Sequence, residues 1–213
     1  RTGFANWRRE RGGVLRFRGQ PGETIGYSGE GYEYVARFAE RRTAEPFDAL
    51  ARRLVFGPSG MRSTAYTGQD WFAGRLAQPS TENGFIAPTI AEEWVASDDM
   101  HSTAADYARF IASLVRSEGL VARISRERTS VQADRTGEIC NTDAKRAACP
   151  MRAGFGLGWE VYEFGDDRFL MHTGSDTGEF AFAYFSPVSG DGAVVFTNSN
   201  RGGLVVLPIL ERI

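Results

Sequence analysis

The sequence is short of lysine. Of its 25 basic residues, 24 are arginine and one, Lys145, is lysine. Chemistry that needs a lysine amine therefore has a single position at which to find it. Histidine is nearly as scarce, at His101 and His172, and cysteine is confined to Cys140 and Cys149. Two histidines and two cysteines so distributed give no support for a four-ligand zinc site. The formal net charge of −2 excludes the basic footprint of a nucleic-acid-binding domain. No apolar run approaches the roughly 18 residues of a membrane-spanning helix. There is no Gly-x-Ser-x-Gly elbow, no phosphate-binding loop and no His-Glu-x-x-His motif, so neither metal nor nucleotide cofactor is implied.

What is present describes a folded chain. The 213 residues are 42% hydrophobic and 24% charged, with 15 Phe, 7 Tyr and 4 Trp, a composition that excludes disorder. The chain opens Arg1-Thr2-Gly3, without a Met or a signal peptide, and reads as an internal start. Cys140 and Cys149 flank a polar stretch. They read as a local disulfide, which would indicate an oxidising compartment, or as two reduced thiols in a surface loop.

Residues 1–26 are rich in Gly and Arg and read as turns and short extended pieces. From Gly31, Tyr34, Val35 and Phe38 recur at helical spacing, with Arg41-Arg42 suited to a helix C-terminus. A second helix is predicted over 46–54, with Phe47, Leu50, Ala51 and Leu54 on one face and Pro46 at its start. Residues 62–100 read as a long loop. Ser102 or Thr103 caps a helix with Ala104, Tyr107, Ala108, Ile111, Leu114 and Val115 on its apolar face, closed by Gly119. A shorter helix follows near 120–131, then a polar loop over 133–152. After Gly154 the period changes to that of strands, at 158–162, 168–172, 180–185 and 192–197. Turns lie at 165–167, 174–178 and 189–192. Residues 204–213 read as a helix on that sheet. The fold class is mixed α/β of the α+β type: residues 1–153 form a helical and loop region, and 154–213 an antiparallel sheet with a terminal helix.

Two short segments carry candidate chemistry. In the run from Gly19 to Tyr32, Tyr27 stands between glycines just ahead of a helix. Its phenol is placed to act as a base helped by the helix dipole, or is simply a buried turn tyrosine. In Met171-His172-Thr173-Gly174, the glycine permits a substrate backbone to lie along the strand, and His172 has donors to offer a carboxylate or an oxyanion. The plainer alternative is a histidine at a hairpin end. His101 reads as structural, beside a helix start.

Taken together these segments resemble the serine β-lactamase and penicillin-binding protein superfamily, in its class C, DD-peptidase and esterase branch. Tyr27-Ser28-Gly29 resembles the second active-site motif, and His172-Thr173-Gly174 with Gly178-Glu179-Phe180 the third, in a His-Thr-Gly variant. The opening Arg1 to Trp7, Gly60 to Thr64, Met100 to Asp106 and Thr197-Asn198-Ser199 resemble other family segments in the same order.

The resemblance implies a β-lactamase/transpeptidase-like fold and an ester- or amide-cleaving serine hydrolase that works through an acyl-enzyme. Tyr27 and His172 would be its catalytic groups, and Gly29, Thr173, Gly174 and Ser175 its substrate-binding residues. The substrate would be a small molecule or peptide-like: a D-amino acid peptide, a small ester or a β-lactam. The location would be periplasmic or secreted.

The family's first motif, Ser-x-x-Lys, is not met. Thr142-Asp143-Ala144-Lys145 has Thr for Ser, follows Tyr27 in order, and sits between the cysteines. The expectation is that the N-terminal strands and nucleophile helix lie in a segment of the same protein outside this chain, which alone would be inactive. Gly29 also replaces the Asn of the usual Tyr-x-Asn motif, and His172 replaces a cationic lysine with a side chain largely neutral near pH 7. Both weaken the case for β-lactam turnover. A non-catalytic relative that binds peptide or cell-wall fragments is the alternative.

Overall fold

A computed structural model describes residue 20, residue 22, and residues 25–142 and 149–210. The segment from Arg1 to Trp7 and Lys145 lie outside the described residues. The chain falls into two compact units, Arg1–Arg75 with Thr89–Thr103, and Leu76–Pro88 with Ala104–Ile213. This partition differs from a boundary at 153. The predicted helix after Thr103 and the loop of 133–152 both belong with the sheet, because their side chains and backbone pack on it.

The first unit is built on helix α1, Gly29–Thr43. Ser28 caps it, its hydroxyl accepting from Gly31 N at 2.9 Å, and Ala44 ends it in the left-handed conformation. The predicted apolar stripe is not the packed face. Tyr34, Val35 and Phe38 are exposed, while Glu33 and Ala36 are buried. Helix α2, Phe47–Ala51, continues without a break into a π-helical turn, Arg52–Phe56. The wider turn shifts the phase of the stripe, so Leu50 and Phe56 are buried and Leu54 is left exposed. Glu40 ties the two helices, accepting Phe47 N at 2.9 Å. The rest of the unit is irregular, with a 3-10 turn at Asp70–Phe72 and a backbone bridge between Ala65 and His101. His101 packs its ring 5.0 Å from that of Phe72, a structural role.

The second unit holds a six-stranded antiparallel sheet in sequential order: β3 (Ala133–Asp134), β4 (Arg152–Phe155), β5 (Glu160–Phe164), β6 (Asp167–Asp176), β7 (Glu179–Phe185) and β8 (Gly192–Thr197). All four predicted strands are present. The polar loop of 133–152 proves to contain the edge strand β3 and a short helix, α5 (Thr136–Ile139), which the scarcity of apolar residues there concealed. A separate hairpin, β1 (Ser80–Thr81) and β2 (Gly84–Phe85), interrupts the loop of 62–100.

Helix α3, Ala104–Val115, lies on one face of the sheet. Its Ile111 and Leu114 join Val131, Trp159, Val161, Leu170, Ala183 and Phe185 in a single core. Helix α4, Ala122–Arg128, sends Arg128 inward, where one Nη donates to Leu114 O at 2.8 Å near the end of α3. The predicted C-terminal helix is a 3-10 turn, Gly202–Val205, followed by α6, Val206–Leu210. Gly202 and Gly203 pack against Phe180. Cys140 and Cys149 are disulfide-bonded, with Cα atoms 5.9 Å apart. No described helix is long and apolar enough to cross a membrane.

The edge of the sheet depends on Gly154. A Cβ there would overlap the carbonyl oxygen of Ala133 on the neighbouring strand. Gly154→Ala is expected to cost about 1–3 kcal/mol through overpacking, read as a lower midpoint in thermal or urea denaturation.

Candidate functional site

Each unit carries one of the two motifs. In the first, Tyr27 directly precedes the cap of α1. It is 60% exposed, so it is not the buried turn tyrosine of the plainer reading. Helix α1 extends 15 residues beyond it, which puts the positive end of a full-length helix dipole beside the phenol. Tyr32, one turn into the helix, is close enough to feel it. Burial first, and then the charge of Tyr27, hold the Tyr32 phenol above its ordinary range. Gly29 is the first helical residue.

The face of α1 that packs is a stripe spaced by four: Gly29, Glu33 and Arg37. All three meet the segment of residues 94–97. Ser97 stands against Gly29, and Ser97 N donates to Glu33 Oε1 at 3.2 Å. The Arg37 guanidinium lies 4.0 Å from the centre of the buried Trp94 ring, a cation–π contact. These partners of the Tyr27 motif were not legible beforehand. Glu33 and Arg37 look like a solvated face, and Ser97 is a loop serine 64 residues beyond Glu33.

In the second unit, His172-Thr173-Gly174-Ser175 is not a turn. Strand β6 runs on to Asp176, and the reversal falls at Thr177-Gly178. The decisive feature is unequal pairing. On one side β6 pairs with β7 from Leu170↔Phe185 to Asp176↔Glu179. On the other, its pairing with β5 stops at Glu160↔Met171. From His172 to Asp176, one side of the strand has no strand partner among the described residues. In an antiparallel ladder every second residue there directs its N–H and C=O toward that open side. Thr173, Gly174 and Ser175 are exposed. His172 is half-buried, its ring perpendicular to that of Trp159 with centroids 6.5 Å apart.

Among the described residues nothing in the packing requires the glycine at 174. A Cβ there would meet only Ala181 Cβ, at an ordinary 3.8 Å. Gly178 is different: it has φ +78°, and a Cβ would press on Pro79 Cβ at 2.7 Å and Ser80 N at 2.8 Å. That tight approach seats the β1–β2 hairpin on the β6–β7 turn, where Ser80 N donates to Gly178 O at 3.1 Å. Asn198 Nδ2 donates to Gln78 O at 2.9 Å, so this motif residue anchors the hairpin.

A contrast between two glycines follows. Gly174→Ala should leave stability unchanged or raise it slightly, since the backbone there is ordinary strand. Gly178→Ala should lower stability by about 1–3 kcal/mol. Thermal denaturation of the two variants decides the matter, and a large loss at Gly174 would mean that packing required it.

Comparison with known proteins bears on the family and the fold. The beta-lactamase family profile matches residues 9–208. Penicillin-binding protein 4 of Amycolatopsis lactamdurans is 25% identical over 190 residues, covering 84% of this chain and 48% of that protein. A penicillin-binding protein from Bacillus halodurans superposes with a TM-score of 0.70 at 20% identity, over 92% of this chain and 57% of that one. D-amino acid amidase from Ochrobactrum anthropi SV3, solved with D-phenylalanine, gives a TM-score of 0.69 at 20% identity, over 94% of this chain and 65% of that one. At such identities the structural likeness is one of fold. The chain spans about half the length of the curated relative it matches.

Proposed function

This chain belongs to the beta-lactamase family, and we propose that it is part of a serine hydrolase that cleaves an ester or amide through an acyl-enzyme. The observation that carries the reading is the open side of β6 at His172–Asp176, with an exposed glycine at 174 that packing does not demand. A peptide-like acyl group is bound there as an added strand, through backbone hydrogen bonds. A backbone N–H on that side supplies an oxyanion donor, and His172 donates to a carboxylate or carbonyl of the substrate.

Tyr27 is the general base in this reading. Its exposure and its place at the start of α1 support the role. The nucleophile is a Ser-x-x-Lys pair of the same polypeptide. Thr142 and Lys145 do not serve, since they lie between two disulfide-bonded cysteines. Substrates fitting the β6 edge are D-amino acid peptides or amides and small esters. β-Lactams fit less well, because Gly29 and His172 remove an amide and a cation that would engage them. The disulfide supports a periplasmic or secreted location.

Gly29 and the lone lysine also favour a second reading, a non-catalytic relative that binds peptide or cell-wall fragments reversibly. Labelling of the polypeptide that carries this chain with a fluorescent penicillin or a fluorophosphonate separates the two. Covalent labelling is expected, and Tyr27→Phe should slow it at least about tenfold, since general acid–base assistance contributes roughly 10²–10⁴. Labelling of Tyr27→Phe at the native rate would remove Tyr27 from the mechanism. Reversible binding without any labelling would favour the second reading.

A further inference from the structure

A cavity of about 1030 Å³ opens in the sheet unit, away from both motifs. Its size is at the top of the range of small-molecule sites. Among the described residues its lining comes from β4, β5, α5 and the Cys140–Cys149 disulfide, and none of it from β6. The floor follows from strand register. Phe155 of β4 pairs with Glu160 of β5, and Glu160, Tyr162 and Phe164 alternate along β5. These four side chains therefore share one face of the sheet. Val161, between them, belongs to the core under α3, so the cavity lies on the opposite face. Ile139 of α5 and the disulfide form its wall.

Three aromatic rings thus surround one half-buried carboxylate, that of Glu160. The charges of the lining do not cancel. Arg135 Nε donates to Glu138 Oε2 at 3.0 Å, and the Arg135 guanidinium lies 5.5 Å from the centre of the Phe155 ring. Arg135 and Glu138 neutralise each other. Arg135 also feels the charge of Glu160, but the two form no ion pair, and no basic residue pairs with Glu160 among the described residues. Its one hydrogen bond there is from the Tyr162 hydroxyl, at 2.7 Å. Burial first, and then this bond to Glu160, hold the Tyr162 phenol far above its ordinary range, so it stays a donor and keeps the carboxylate oriented. A carboxylate accepts at about four positions, and most of those on Glu160 are left over.

We infer that this cavity binds a small organic cation: an ammonium on an aromatic or apolar body, with the ammonium at Glu160 and the body among Phe155, Tyr162 and Phe164. Carboxylate and ring faces attract the same charge, and both are already in place. A neutral aromatic ligand would bury Glu160 without a counter-charge, and an anion would be repelled by it. The site shares no residue with Tyr27 or with the open side of β6, so it stands or falls separately from the hydrolase reading.

The experiment is calorimetric titration of the polypeptide that carries this chain with phenethylammonium, phenethyl alcohol and phenylpropionate, alongside thermal denaturation. The ammonium should bind at least about tenfold tighter than the other two, the worth of one hydrogen bond to a charged group. Glu160→Gln, which still accepts from Tyr162, should abolish that preference at an unchanged melting temperature. Phe164→Ala, at the exposed rim, should weaken ammonium binding about threefold. Equal binding of the three probes, or binding of none, overturns the inference. Tighter binding of phenylpropionate overturns it in favour of an anion held by Arg135. An unchanged preference in Glu160→Gln, or unchanged affinity in Phe164→Ala, overturns it by placing the cation outside this cavity.

Discussion

Strand β6 is longer than the strand beside it, and the chemistry proposed for the sheet unit depends on that mismatch. Pairing with β5 ends at Glu160↔Met171 because the chain ahead of β5 turns away through Gly156 and Gly158, the latter with φ +87°. Pairing with β7 continues for five more residues. Among the described residues the stretch from His172 to Asp176 is therefore paired on one side only. A buried core of Leu170, Phe185 and Trp159 fixes the neighbouring part of the strand against α3, and the hairpin clamped at Gly178 fixes the far end. An edge held at both ends and open along one side can receive an extended ligand without rearranging, which lowers the ordering cost of binding.

The first unit reaches the same condition by different means. Helix α1 packs through Gly29, Glu33 and Arg37 rather than through its aromatic residues. A small residue, a buried carboxylate and a stacked guanidinium give it directional contacts that set where residues 94–97 lie. Around the helix start Tyr27 and Ser97 are both exposed, and Ser97 is held through its backbone N–H, which donates to Glu33. Hydrophobic packing alone, being non-directional, would not position two polar tips in this way.

Much of the fold was legible in the sequence, and the failures have physical reasons. Alternation and turn chemistry located β5 to β8, since strands that face a core on one side must alternate. The edge strand β3 was missed because Ala133 and Asp134 carry no such pattern; a two-residue edge is defined by its neighbour's glycine. The stripe of Tyr34, Val35 and Phe38 misled because helical periodicity reports a face but not what lies against it. At the site, Tyr27 and the His172–Ser175 run were singled out from their motifs; Tyr27 and Thr173 to Ser175 are exposed, and His172 is half-buried. That a substrate backbone could lie along this strand was read from Gly174, but the point at which pairing with β5 stops was not. Hairpin signals at Gly174 and Gly178 look alike in sequence, whereas only Gly178 has the left-handed backbone of a turn. Ser97 lacked any local signal, because the residue it bonds, Glu33, lies 64 positions earlier.

The most direct test of the central claim is amide hydrogen exchange across β6 with and without a saturating N-acyl-D-alanyl-D-alanine peptide. Without peptide, exchange from His172 to Asp176 should alternate, slow where the N–H pairs with β7 and fast where it faces the open side. With peptide, the fast set should become slow and the slow set should not change. Bound peptide that leaves the fast amides of His172–Asp176 unprotected would contradict the account.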